Sequence, residues 1–225
     1  MSEALGKVER PEADSFRGRR KLLVVFLVFS HESAPQEYTE RCERYWTQVA
    51  EQLVKLAARL GPVRHIYHES LWEGGEAGLT LLEKLSRDSQ QVARRLCDDG
   101  AMLEALEERE LAAELSDWER FMLQGFASGK VADLVRDLYS GALKQRNEHA
   151  VGVIDTTLGE DEVGLLFARE GHGLQFPTSI EVFSVVPPAF DELHRWLRDQ
   201  SRRPETDGGV EQDTVDAAGT QQEAE

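Results

Sequence analysis

The stretch KLLVVFLVFS, residues 21–30, decides the fold class. It is rich in β-branched and aromatic residues and has no polar alternation, which is typical of a strand covered on both faces. Its apolar run, Leu22 to Phe29, follows three basic residues and superficially resembles a signal peptide. The run is shorter than the roughly 20 apolar residues of a membrane helix, and no small-residue cleavage site follows it. We therefore predict a buried strand in the centre of a sheet.

A helix and a second strand follow this run. Pro35 opens a segment whose apolar residues recur every three or four positions until Gly61 and Pro62, which predicts a long helix. Val63 to His68 then reads as a short strand. Strand, helix and strand in this order favour a parallel pair joined by a right-handed crossover.

The rest of the chain continues to alternate between helical and strand patterns. Gly74, Gly75 and Gly78 mark a loop into a helix that ends near Gly100, and they lack the spacing of a phosphate-binding loop. The later segments are a third short strand or a helix start over 101–106, helices over 107–123 and 130–158, strands over 162–169 and 180–186, and a terminal helix from Pro187. We predict an α/β fold, helix-rich, with a central, mostly parallel sheet of about four or five strands and long amphipathic helices packed on it.

Composition divides the chain into a core and two tails. The 225 residues leave room for one domain, which we assign to residues 21–201. Residues 1–20 are polar without an apolar period and predict a disordered arm, and residues 202–225 predict a disordered acidic tail.

The charge and the cysteines limit the functional classes. With 26 basic and 42 acidic residues the net charge is −16, which argues against nucleic-acid and membrane-surface binding. Cys42 and Cys97 fall in helical patterns and have no ligand spacing, so we expect buried free thiols rather than a disulfide or a thiolate zinc site. This cysteine usage favours a reducing, cytoplasmic location.

Histidine and glutamate follow three predicted strands. His31 and Glu32 follow the first, His68 and Glu69 follow the second, and Glu170 and His172 follow a later one. Ligands of open parallel sheets bind outside the carboxyl ends of the strands, so these residues are candidates for catalysis. Imidazole and carboxylate suit a divalent metal held by His31, His68 and His172, or metal-free acid–base catalysis, and the sequence does not separate the two. The alternative is that they occupy ordinary surface loops.

Arg146 and Asn147 are candidate substrate-binding residues because a buried arginine could clamp a carboxylate or phosphate. The alternative is a solvated helix face with intrahelical ion pairs.

Part of the chain resembles a known group of families. Arg146-Asn147-Glu148-His149-Ala150, Ile154-Asp155, Leu158, and Gly164-Leu165-Leu166-Phe167 with His172 resemble the closing segment of the TraB, ChaN and erythromycin-esterase-like proteins. The segment Gly100 to Glu104, with Glu107 and Glu110, resembles their middle. The resemblance implies an α/β fold with a polar site at strand ends that contains His172 and Arg146. The chain as a whole also resembles a prokaryotic α/β family, which implies no activity.

Two functional hypotheses follow. The first is a metal- or acid/base-dependent hydrolase-like enzyme that uses the strand-end residues. The second is a non-enzymatic interaction or regulatory module whose amphipathic helices bind a protein partner or a second copy of the chain.

Overall fold

The computed structural model describes residues 18–31 and 33–202. The predicted arm over 1–20 and the predicted tail over 202–225 therefore lie outside the described residues, except at residues 18–20 and 202. The elements are β1 (Arg20–Phe26), α1 (Gln36–Leu60), β2 (Val63–His68), α2 (Gly75–Leu85), α3 (Arg87–Asp98), β3 (Met102–Leu103), α4 (Arg109–Gln124), α5 (Gly129–Thr157), β4 (Val163–Ala168), β5 (Ile180–Val185) and α6 (Pro188–Arg202).

The described strands form one parallel sheet in the order β3-β2-β4-β1-β5, which confirms the predicted α/β class. β1 lies inside the sheet, between β4 and β5, as its apolar run predicts. The predicted pairing of β1 with β2 is wrong, because β4 is inserted between them and pairs with both.

Helices cover both faces of this sheet. The first face carries Leu23 and Val25, with side chains of α1, α2, α3 and α6 packed on it. The second face carries Leu22 and Val24 and is covered by the C-terminal half of α5. Because alternate residues of β1 face different apolar layers, the strand shows no polar alternation.

One predicted helix is divided. The segment predicted as a single helix up to Gly100 breaks at Ser86, whose extended backbone ends α2 and starts α3. The segment 101–106 contains β3, a strand of two residues. The helix predicted from Glu107 begins at Arg109, so Glu107 lies in the loop between β3 and α4.

α4 and the N-terminal half of α5 form a helical hairpin. Gly125, with φ of 70°, ends α4, and the hydroxyl of Ser128 caps α5 by accepting a hydrogen bond from Val131 N–H. The buried residues Leu115, Val135 and Ala142 belong to this hairpin and to neither apolar cluster of the sheet. At 29 residues α5 is about 43 Å long. Its first half therefore packs on α4 rather than on the sheet.

None of the helices within residues 18–31 and 33–202 is long and apolar enough to cross a membrane. Cys42 and Cys97 are both free thiols, as predicted, although only Cys42 is fully buried.

Candidate functional site

β2 and β4 end side by side at the carboxyl edge of the sheet. After β2 the chain turns to the first face, where Leu71 and Leu79 enter the apolar layer. After β4 it turns to the second face, where Leu174 and Phe176 pack. Neighbouring parallel strands whose connections leave to opposite faces define the position at which α/β proteins bind ligands.

A buried ion pair lies at the centre of this edge. Arg146, on α5, points its guanidinium at Glu107, in the loop after β3; Nε donates to Oε2 at 3.0 Å and Nη2 donates to Oε1. Both side chains are almost fully buried. The paired geometry satisfies two charges that would be costly to bury alone.

Glu69 joins this pair to the end of β4. Its Oε2 accepts a hydrogen bond from the backbone N–H of Arg169 at 2.8 Å, and its Oε1 lies 2.8 Å from Nε of the same arginine. Nη2 of Arg146 lies 3.9 Å from Glu69 Oε1. The guanidinium of Arg169 also approaches Glu119 of α4 at 3.6 Å. Ion pairs therefore link the loop between β3 and α4, the end of β4, and helices α4 and α5.

His172 is the histidine of this cluster. Its Nδ1 accepts a hydrogen bond from the backbone N–H of Leu174 at 3.1 Å, so the proton of the neutral ring lies on Nε2. Burial lowers its pKa, Glu69 raises it and Arg146 lowers it again, with a net decrease. The ring is therefore a neutral donor at pH 7.

The structure does not bring His68, a predicted site residue, into this cluster. Its side chain points into the first face, against Phe167, with Nδ1 on the carbonyl of Glu69 and Nε2 3.1 Å from the hydroxyl of Ser89. Burial lowers its pKa to about 4. Both ring nitrogens are engaged inside the protein, and the residue has a structural role.

The other predicted residues are also dispersed. His31 is exposed and its Nδ1 bonds to Ser33, and Glu170 is exposed and lies 3.5 Å from His194 of α6. Glu32 lies outside the described residues. Within the described ranges no three His, Cys, Asp or Glu side chains form a group that could hold a metal ion, so the predicted site of His31, His68 and His172 is not formed.

Arg146 is buried as one prediction required, and the alternative of a solvated helix face is wrong. Its guanidinium forms an ion pair with Glu107 inside the protein, so it is not available to bind an anionic ligand. Asn147 is only partly buried: Oδ1 lies 3.5 Å from Arg146 Nη1, and the amide nitrogen lies next to Gly173. Asn147 is therefore at the rim of the cluster.

Glu107 and Arg169 were not predicted as site residues. Each directly follows a strand region, Glu107 shortly after β3 and Arg169 at the end of β4. The positional rule that selected Glu69 and His172 applies equally to them. Glu107 and Arg169 were not selected because the rule was applied only to histidine and glutamate that lie together after a strand.

The groove between α1 and α3 does not belong to this cluster. It encloses about 1120 Å³ and is lined by Trp46, Leu53, Asp88 and Leu96, among others, all from these two helices or their ends.

Comparison with known proteins found no match: no family model, no curated protein and no solved structure is similar to this chain at a significant level. The resemblance to the TraB, ChaN and erythromycin-esterase-like proteins therefore stays a prediction.

Proposed function

We propose that this chain is a hydrolase-like enzyme that uses metal-free acid–base chemistry at the carboxyl ends of β2 and β4. The observation that carries the proposal is the contact of Glu69, Glu107 and Arg146, from three separate segments, at the switch in connection direction. His172 lies close enough for Glu69 and Arg146 to affect its pKa. Grouped titratable side chains at such a position are typical of catalytic sites.

His172 would act as a hydrogen-bond donor. Its Nε2–H is held in one tautomer by the Leu174 amide, and the ring is neutral at pH 7. A neutral imidazole can donate a hydrogen bond to an oxygen that gains negative charge in the transition state.

Glu69 would act as the base that takes a proton from water and then passes it to the leaving group. Its two oxygens accept from the backbone and side chain of Arg169, and a carboxylate has about four lone-pair sites, so acceptor capacity is left for a water molecule. Arg146 and Glu107 would act as positioning residues that hold α5 and the β3–α4 loop against this carboxylate.

The charge balance favours a neutral substrate. Glu69, Glu107 and Glu119 place three negative charges against the two positive charges of Arg146 and Arg169. The cluster thus has no surplus positive charge for a phosphate or carboxylate, in contrast to the anion clamp predicted for Arg146. A neutral ester or amide fits better.

The test is hydrolysis of p-nitrophenyl acetate and butyrate compared with p-nitrophenyl phosphate. We expect turnover of the neutral esters that is reduced at least 100-fold in both variants, because Glu69→Gln removes the base and His172→Gln removes the fixed imidazole N–H donor. His31→Gln, an exposed histidine away from the cluster, is the matched control and should keep wild-type activity. Equal activity in all four proteins, or hydrolysis of the phosphate alone, would contradict the proposal.

A second candidate function, a non-enzymatic interaction module, is supported by a different part of the molecule. The α4/α5 hairpin exposes large apolar side chains, which is typical of a protein-binding surface.

A further inference from the structure

The hairpin of α4 and α5 carries a concentrated set of exposed apolar side chains. Twelve large apolar residues are exposed among the described residues, and five of them, between 42% and 87% exposed, lie on this hairpin: Phe121, Leu123, Val131, Leu134 and Leu138. Together they present on the order of 500 Å² of apolar surface, taking about 150–250 Å² for a large side chain. Exposed apolar side chains concentrated in this way on one unit commonly mark interaction sites.

Three of these residues form a continuous line on α5. Val131, Leu134 and Leu138 follow the spacing i, i+3, i+7 and therefore lie on one side of the helix. We call them the hairpin stripe. Their mean direction lies about 60° around the helix from that of the buried residues Val135 and Ala142, at about 100° per residue. The apolar arc of α5 is thus wider than α4 covers, and half of it is open.

No other described element packs over the stripe. The first half of α5 is outside both apolar clusters of the sheet, and its neighbour in this region is α4. A helix whose apolar arc is only half covered is stabilised by one further packing partner.

The charges of the hairpin are complementary to a copy of itself. α4 carries four acidic and two basic residues, whereas residues 129–145 of α5 carry three basic and two acidic ones. In a two-fold arrangement the same surface meets itself, so α4 of one copy can lie against α5 of the other with opposite net charge. Since the whole chain has a net charge of −16, the net positive charge of residues 129–145 is a local exception.

The area is also consistent with self-association. Two copies of the apolar surface supply at most about 1,000 Å², and a polar rim would bring the total into the range of about 1,200–2,000 Å² that stable interfaces bury. Two hairpins placed side by side form a four-helix bundle, in which each stripe fills the open arc of the other.

We propose that the protein is a homodimer whose interface is a four-helix bundle formed by the α4/α5 hairpins of two copies. The inference is independent of the proposed hydrolase chemistry, since neither the stripe nor its charges take part in proton transfer.

The experiment measures the mass of the full-length protein by sedimentation equilibrium from about 1 to 100 μM, a range that brackets an interface of this size. We expect a dimer for the wild type. The variant Leu134→Glu/Leu138→Glu should be monomeric over the whole range, with the dissociation constant raised at least about 100-fold, because four charges would have to be buried in the dimer.

Val54→Glu is the matched control, since Val54 is an equally exposed apolar residue on α1. It should remain dimeric. Far-UV circular dichroism establishes that each variant is folded. Leu134→Asn is a milder second variant, and its dimer dissociation constant should rise about tenfold. A wild type that stays monomeric at 100 μM overturns the proposal. So does a dimer that persists in both folded hairpin variants, or one that Val54→Glu breaks as effectively.

Discussion

The buried pair of Arg146 and Glu107 makes the strongest prediction about stability. Replacing Arg146 by methionine keeps a similar length and removes the guanidinium. Glu107, whose side chain is 1% exposed, then loses both guanidinium bonds and keeps only a distant contact, 3.5 Å from the backbone N–H of Ser70. The variant thus leaves a carboxylate buried without its cation.

The magnitude follows from this geometry. Removing one partner of a buried ion pair costs about 3–5 kcal/mol, out of a typical total stability of about 5–15 kcal/mol. For a domain of this size about 1 kcal/mol corresponds to about 2–4 °C in Tm, so Arg146→Met should lower Tm by roughly 6–20 °C. Removing both charges, in Arg146→Met/Glu107→Met, should recover most of the loss and bring stability to within about 2 kcal/mol of the wild type.

Urea unfolding at pH 7, followed by circular dichroism, measures all three proteins. Lys144→Met is the matched control on the same helix, because Lys144 forms an exposed pair with Glu148 at 3.7 Å and its loss should cost less than about 1 kcal/mol. If Arg146→Met costs no more than Lys144→Met, or the double variant is less stable than Arg146→Met, the pair is not the buried, mutually dependent unit described above.

Two further predictions concern the core. Burial lowers the pKa of His68 to about 4. Below about pH 6.5 the unfolded chain therefore binds a proton at this residue, and the folded protein does not. The free energy of unfolding should be highest above pH 6.5 and should fall by on the order of 3 kcal/mol as the pH decreases toward 4. Urea unfolding at pH 7 and pH 5 should show about 2 kcal/mol of this fall in the wild type and a smaller fall in His68→Asn, and equal falls would contradict the prediction. Gly78→Ala should cost at least about 1 kcal/mol, because the new Cβ would lie 2.4 Å from the carbonyl oxygen of Glu73. Gly152→Ala, with open space around it in α5, should instead add about 0.5–1 kcal/mol, and thermal unfolding that ranks the two variants the other way would refute the packing described for α2.

The fold class was predictable because residues 21–30 have no polar alternation, and a strand of this kind needs an apolar layer on each side. The strand order was not predictable from the same pattern. β4 displaces β2 from the side of β1, and this depends on side-chain packing between distant segments: Gly164 of β4 lies where a Cβ would be 3.1 Å from both Leu22 of β1 and Tyr67 of β2. No local period of the sequence reports such a contact.

The sequence was enough to predict where the candidate site lies, but it identified only some of the residues that form it. Glu69 and His172 lie at the carboxyl ends of neighbouring strands as expected. His68 was misassigned because it is the last residue of β2 and shares the side of Ile66, which packs into the first face, so alternation turns its ring inward. Arg169 was missed because a search for metal ligands and acids does not select a cation that pairs with them.

The position of β1 in the sheet has a consequence for synthesis of the chain. Its hydrogen-bonded neighbours are β4 and β5, and Lys21 pairs with Val163, about 140 residues later. At roughly 5–20 residues per second, the ribosome needs on the order of 7–28 s to make the intervening segment. During this time the apolar residues of β1 are outside the ribosome without their partner strands, while β2 and β3 can already pair. Overproduction should therefore be limited by association of nascent chains through residues 21–30, and slower translation would lengthen that exposure.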